Sequence, residues 1–318
     1  MREPPECPNS LAVRLAIARE LHGSGNAPEA LRLLQALLPE QASVLGAHHP
    51  ETLTTRQYIA ICTGECGDPS EAVRLLRALL PDRASVLGAE HQDTFATRED
   101  RAFWVGQCGE AGEALRLYEA LLLDQTRVLG PDHPDTLTTR YNIAFAIHES
   151  GNVQKALRLF EVVLADQTRV LGADHPESLA TRHAVALSTR ECGDHGKALG
   201  MFQALLPNLT SVFGNDHPDT LATRNNVAIC TGEQGDAREA LSLLHALLPE
   251  LIRALGKDHP ETLANRLNIA SWNFNCGNRA EGVQLFRMLL PDLKRVLGPD
   301  HPHTLQARSL IERESQVH

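Results

Sequence analysis

The chain repeats itself every 42 residues. A Leu-Gly or Phe-Gly pair recurs with its glycine at Gly46, Gly88, Gly130, Gly172, Gly214, Gly256 and Gly298, and the third residue after each is a histidine, at His49, His91, His133, His175, His217, His259 and His301. Proline follows that histidine in six of seven copies, Gln92 being the exception. Seven residues beyond the histidines stand Arg56, Arg98, Arg140, Arg182, Arg224, Arg266 and Arg308, and projecting back one period lands on Pro8, Ser10, Leu11 and Arg14. A second glycine marks mid-repeat at Gly25, Gly67, Gly109, Gly151, Gly193, Gly235 and Gly277. A unit this short cannot bury its own apolar surface, so it must stack on copies of itself.

The fourth copy shows what one unit is. Between Pro134 and Gly151 the apolar residues Leu137, Ile143, Ala144 and Ile147 share one helical face, which predicts a helix A. Pro134 suits the first helical position and makes His133 or Asp132 the N-cap, while Gly151 ends the helix. From Val153 to Leu171, Ala156, Leu157, Phe160, Val163 and Leu164 form an amphipathic helix B. So short a turn makes the two helices antiparallel. The fold expected is all-α: an α-solenoid superhelix of about seven antiparallel helix pairs with a C-terminal capping helix. Residues 1–318 read as a single array, with units near 8–49, 50–91, 92–133, 134–175, 176–217, 218–259 and 260–301 and the capping helix over 302–316.

Five residues after each mid-repeat glycine comes a small residue: Ala30, Ala72, Ala114, Ala156, Ala198, Ala240 and Gly282. With the stretch from Leu129 to Leu137, which reads Leu-Gly-Pro-Asp-His-Pro-Asp-Thr-Leu, this Gly-x4-Ala-Leu spacing resembles the tetratricopeptide repeat, in the 42-residue variety found in kinesin light chains and many bacterial proteins. The resemblance runs from Pro8 to about Arg308. It implies a concave groove lined by helix A, where asparagines hydrogen-bond the backbone of an extended peptide.

Composition excludes several classes. At 42 % hydrophobic residues the chain has enough apolar material to fold, and a net charge of −10 disfavours nucleic acid and anionic lipid. The N-terminus has no apolar run of signal-peptide type and no 18-residue apolar stretch occurs, so a cytoplasmic protein without a membrane partner is expected. Phosphate-loop, dinucleotide, zinc-protease and C-x-x-C motifs are missing, so no catalytic residue, metal or cofactor is assigned and the chain reads as non-enzymatic. Equivalent histidines in successive units would stand at least ~8–10 Å apart, too far to share a metal, so they read as helix caps. Cys66, Cys108, Cys192 and Cys276 all precede the mid-repeat glycine, and Cys62 and Cys230 share another register, as small buried apolar residues would. The recurring arginine finds a counterpart late in helix B, at Glu40, Asp82, Asp124, Asp166, Glu250 and Asp292, with Asn208 once, which predicts a ladder of ion pairs running along the solenoid, the alternative being a stripe that binds phosphate or carboxylate. Pro39, Pro81, Pro207, Pro249 and Pro291 fall inside helix B and predict a kink or break there, absent from the units carrying Leu123 and Ala165. In the last helix, Leu305 and Leu310 are expected to cover the final pair.

Function should lie where the copies disagree. The residue after the recurring arginine is Leu15, Gln57, Glu99, Tyr141, His183, Asn225 or Leu267, and the next is Ala16, Tyr58, Asp100, Asn142, Ala184, Asn226 or Asn268. Tyr141, Asn142, His183, Asn225, Asn226 and Asn268 are therefore the candidate site, a groove for a protein or peptide partner, since an amide side chain can both donate to and accept from a peptide unit. The third unit departs most, with Phe103-Trp104, and Trp104 and Trp272 occupy equivalent positions as core fillers or as aromatic pockets. Two alternatives stand beside the scaffold reading. One is a regulatory sensor of a short peptide; the other is an enzyme or enzyme accessory with chemistry among the off-register His22, His148, His183, His195 and His245.

Overall fold

A computed structural model of the chain describes residues 8–315. They form fifteen helices and no strand: α1 (Pro8–Gly23), α2 (Ala27–Val44), α3 (Pro50–Glu65), α4 (Pro69–Leu87), α5 (Gln92–Gln107), α6 (Ala111–Val128), α7 (Pro134–Glu149), α8 (Val153–Val170), α9 (Pro176–Glu191), α10 (His195–Phe213), α11 (Pro218–Glu233), α12 (Ala237–Leu255), α13 (Pro260–Asn275), α14 (Arg279–Val296) and α15 (Pro302–Ser315). The chain divides between Leu159 and Phe160, inside α8, into two compact units. In the first, α1 to α7 each pack on the next helix, and α1, α3, α5 and α7 also touch in succession; α9 to α15 do the same in the second, with α9, α11, α13 and α15 in succession. This hairpin-on-hairpin stacking is that of an α-solenoid.

The recurring residues build the scaffold. The histidine is the N-cap of helix A in every repeat that has one: its Nδ1 accepts the backbone N–H two residues on, at 3.3 Å from Glu51 and 3.2 Å from Asp135, for example. An accepting Nδ1 requires a neutral ring with its proton on Nε2. Asp132 is not the cap. Three residues after the histidine a buried threonine such as Thr136 donates to the carbonyl of the loop glycine, here Gly130 at 2.9 Å, and locks the loop to the helix. The small residue of helix B is fully buried, as in Ala72 and Ala240, and lets the hairpin close.

The arginines pair within their own units. Arg56 reaches Asp82 at 2.7 Å, Arg98 reaches Asp124 at 2.8 Å and Arg266 reaches Asp292 at 3.0 Å, each arginine about one-quarter exposed. Arg224 grips Glu250 with two parallel bonds of 2.7 and 2.8 Å. These pairs are separate rungs rather than one ladder, and second arginines tie some of them to loops: Arg295 donates to both Asp292 and Asp258.

Three expectations need correcting. The break expected at the five prolines does not occur: the helices run on past Pro39, Pro81, Pro207, Pro249 and Pro291. Each proline, and each residue four before it, lies on the exposed face, so water can serve the carbonyl that loses its partner. Leu310 covers the last hairpin as expected, but Leu305 is 37 % exposed, and Ala307 and Ile311 take its place. Cys62 and Cys230 are buried, but Cys66, Cys192 and Cys276 are exposed, because a C-cap position lies at the hairpin tip rather than in the core.

Candidate functional site

The variable positions on helix A pair with one another between successive copies. At four places the residue after the arginine bonds the second residue after the arginine of the next copy, 43 positions on. In the first unit Gln57 donates to Asp100 at 2.5 Å and Asn142 donates to Glu99 at 2.8 Å. In the second, Asn226 meets His183 Nε2 at 3.2 Å and Asn268 donates to Asn225 at 3.5 Å. Burial holds the His183 imidazole below its ordinary pKa, which suits a neutral ring accepting from an amide. Asn225 also accepts from Asn265 and is only 6 % exposed, so it faces the scaffold rather than solvent. The other five candidates are half-buried.

Beneath this surface in the first unit lies a polar core that sequence reasoning missed. Arg83 is 1 % exposed and donates to Gln57, to Thr97 at 2.9 Å and to the Asp93 carbonyl at 3.1 Å. Burial pushes the Asp100 carboxyl up to about 6, against the pull of Gln57 and Arg83. The signal was available: Arg83 shares its register with Gln41, Gln125 and Gln167, and later copies carry Leu209, Leu251 and Leu293.

Tyr141 and Asn142 open onto a cavity of about 430 Å³ between α5, α6 and α7. Phe103, Tyr118, Tyr141 and Phe145 line it, over a floor that includes Ala102, Gly106, Ala114 and Ala146. In a chain only 4 % aromatic, four aromatic side chains on one cavity are a concentration, and Phe103 and Phe145 remain 42 % and 38 % exposed. Tyr141 and Asn142 are among the candidate residues read from the sequence, whereas Tyr118 and Phe145 look like ordinary positions of their helices and were not.

The off-register histidines sit apart. His22 lies 3.0 Å from Glu65, His148 lies 3.6 Å from Glu149, His195 lies 2.9 Å from Glu233, and His245 is exposed. Among the described residues His22, Cys62 and Glu65 bring three possible metal-ligand atoms within 4.8 Å of one another. Burial pushes the Cys62 thiol up to about 12, so at neutral pH it is protonated and is not an activated nucleophile. No described helix is long and apolar enough to cross a membrane.

Stacked helix hairpins whose shared residues cap and clamp, and whose variable residues cluster on one helix face, define a helical-repeat protein. Residues 93–165, 135–210 and 179–248, and again 52–93 and 262–303, match the tetratricopeptide repeat. The chain belongs to the tetratricopeptide repeat family, in its kinesin-light-chain-like form. Among solved structures it is similar to a Podosopora anserina protein of the kinesin light chain kind with nearly identical repeats, at 29 % identity and a TM-score of 0.52 over 65 % of this chain and 97 % of the other. BtubC from P. vanneervenii shares the fold at 14 % identity and a TM-score of 0.54, over 74 % and 91 % of the two chains. A Rap protein complexed with competence and sporulation factor does so at 12 % identity and 0.62, over 96 % and 87 %. Comparison with curated proteins gives no match.

Proposed function

We propose that the chain is a non-enzymatic scaffold that captures a segment of a partner protein on its helix-A face, working in the cytoplasm and without metal or cofactor. The cavity under Tyr141 and Asn142 carries this reading: it is concave, largely apolar, rimmed by half-exposed aromatic rings and edged by an amide, the make-up of an anchor subsite. Asn142 spends one N–H on Glu99 and keeps a carbonyl and a second N–H for a peptide unit. Within the second unit, taken by itself, His183, Asn226 and Asn268 offer the same chemistry, while Asn225 serves the scaffold. The chain's negative charge favours protein over nucleic acid as the partner.

The test compares proteins retained from native extract by the immobilised chain with those retained by a Tyr141→Ala, Asn142→Ala variant of unchanged circular dichroism and melting temperature. Loss of a specific retained protein supports the site. Identical retention by both would move binding off this face.

A further inference from the structure

Two internal copies of the cavity are filled. In the first unit Trp104 of α5 lies over Gly64 of α3, so close that a Cβ on Gly64 would stand 2.6 Å from the indole ring. Trp104 is 7 % exposed and packs with Ala60, Ala72 and Leu76. In the second unit Trp272 of α13 covers Gly232 of α11 in the same way and packs against the cluster containing Ala228 and Leu244. A glycine paired with a tryptophan 40 residues later thus makes and fills one hollow at each site.

Between α5 and α7 the glycine is kept and the tryptophan is not. Gly106 holds the register of Gly64 and Gly232, but Ala146 stands where Trp104 and Trp272 stand. A Cβ on Gly106 would meet only the Ala114 methyl, at an ordinary 3.6 Å. Ala102, Ala114 and Tyr118 are the counterparts of Ala60, Ala72 and Leu76, the residues against which Trp104 packs, and all three line the cavity. The volume of about 430 Å³ is within the ~300–1,000 Å³ of ligand pockets and leaves room for more than one ring.

We propose, building on the scaffold reading above, that this cavity is the binding site for the indole side chain of a tryptophan in the partner segment, and that the residues flanking that tryptophan are basic. The molecule itself shows how this hollow takes an indole, twice. Charge decides the flanks: the one charged side chain lining the cavity is Glu149, the last residue of α7, at the negative end of that helix's dipole. Its carboxylate is 59 % exposed, with His148 Nδ1 at 3.6 Å as a neighbour. Phe103, Tyr141 and Phe145 add ring faces that attract a cation.

Calorimetric titration of the full chain with free indole, and with the blocked tripeptides Lys-Trp-Lys, Glu-Trp-Glu and Lys-Ala-Lys, tests this. Indole should bind the wild type at a saturable site and an Ala146→Phe variant, in which the hollow is plugged from within, at least about tenfold more weakly. Ala146→Leu, a smaller plug, repeats the comparison should the phenylalanine disturb folding. Lys-Trp-Lys should bind at least about threefold more tightly than Glu-Trp-Glu at low salt, and Lys-Ala-Lys should not bind. Equal indole binding by wild type and both plugged variants, or none by the wild type, overturns the site; a preference for Glu-Trp-Glu overturns the assignment of the flanks. If indole binds as expected while the retention experiment finds no partner, the hollow stands and the scaffold reading fails. If a partner is retained by the plugged variants too, the scaffold stands and the indole assignment fails.

Discussion

Replacing Trp104 by alanine should open, between α3 and α5, the hollow that already exists between α5 and α7. The indole is 7 % exposed, sits on Gly64 and closes a cluster with Ala60, Ala72 and Leu76, none of which has side-chain length to spare for filling the space. Aromatic-to-alanine changes in cores cost ~3–5 kcal/mol when the surroundings cannot collapse, a large fraction of the ~5–15 kcal/mol that stabilises a folded domain. The loss should appear in urea denaturation as a lower midpoint. Free indole should then restore part of it, because a ligand at a hundred times its dissociation constant adds ~2.7 kcal/mol to the state that binds it. The rescue must exceed any gain that indole gives the wild type, since the variant offers one hollow more. A loss below ~1 kcal/mol, of the size seen for surface substitutions, would refute the claim that glycine and tryptophan form one packed unit. So would a large loss that indole relieves no better in the variant than in the wild type.

Three further outcomes follow from charge. Asp100 has its carboxyl raised by burial to about 6, so the native state binds a proton more tightly than the unfolded chain, and stability is lost as pH rises from about 4 to about 6; Asp100→Asn should raise the unfolding free energy read from urea denaturation at pH 7, by up to roughly 1–3 kcal/mol, and flatten that slope. His259 is held below its ordinary pKa by burial, so its contribution is whole above ~6.5 and lost as pH falls through the lower folded value; His259→Asn, which still caps, should make the melting temperature fall less between pH 7.5 and 5.5 than it does in the wild type. Arg224 holds the Glu250 carboxyl below the usual range through its bidentate grip, and a double-mutant cycle on the two should give a coupling of ~0.5–1 kcal/mol near neutral pH that fades once acid protonates Glu250.

The sequence by itself determined everything that depends on near neighbours along the chain. A histidine caps the residue two positions on, a glycine such as Gly130 takes a φ of 93° that ends a loop, and an arginine meets the acid 26 positions later because the hairpin brings one helix back along the other. Repetition multiplied each of these local rules until the family and the α-helical stack were legible. Tertiary structure decided what depends on which side of a helix faces what. The prolines are tolerated because their turn of helix faces water, and Leu305 stays exposed because Ala307 is the residue turned inward. The amide positions chosen as a peptide clamp are first of all partners for one another across the 43-residue step, a pairing that exists only once helix A stacks on helix A. The cavity is the extreme case. Gly106 and Ala146 are unexceptional residues where they stand, and neither announces a site; a hollow is made by volume missing from three helices at once, and it shows only against the two places where a tryptophan fills the same space.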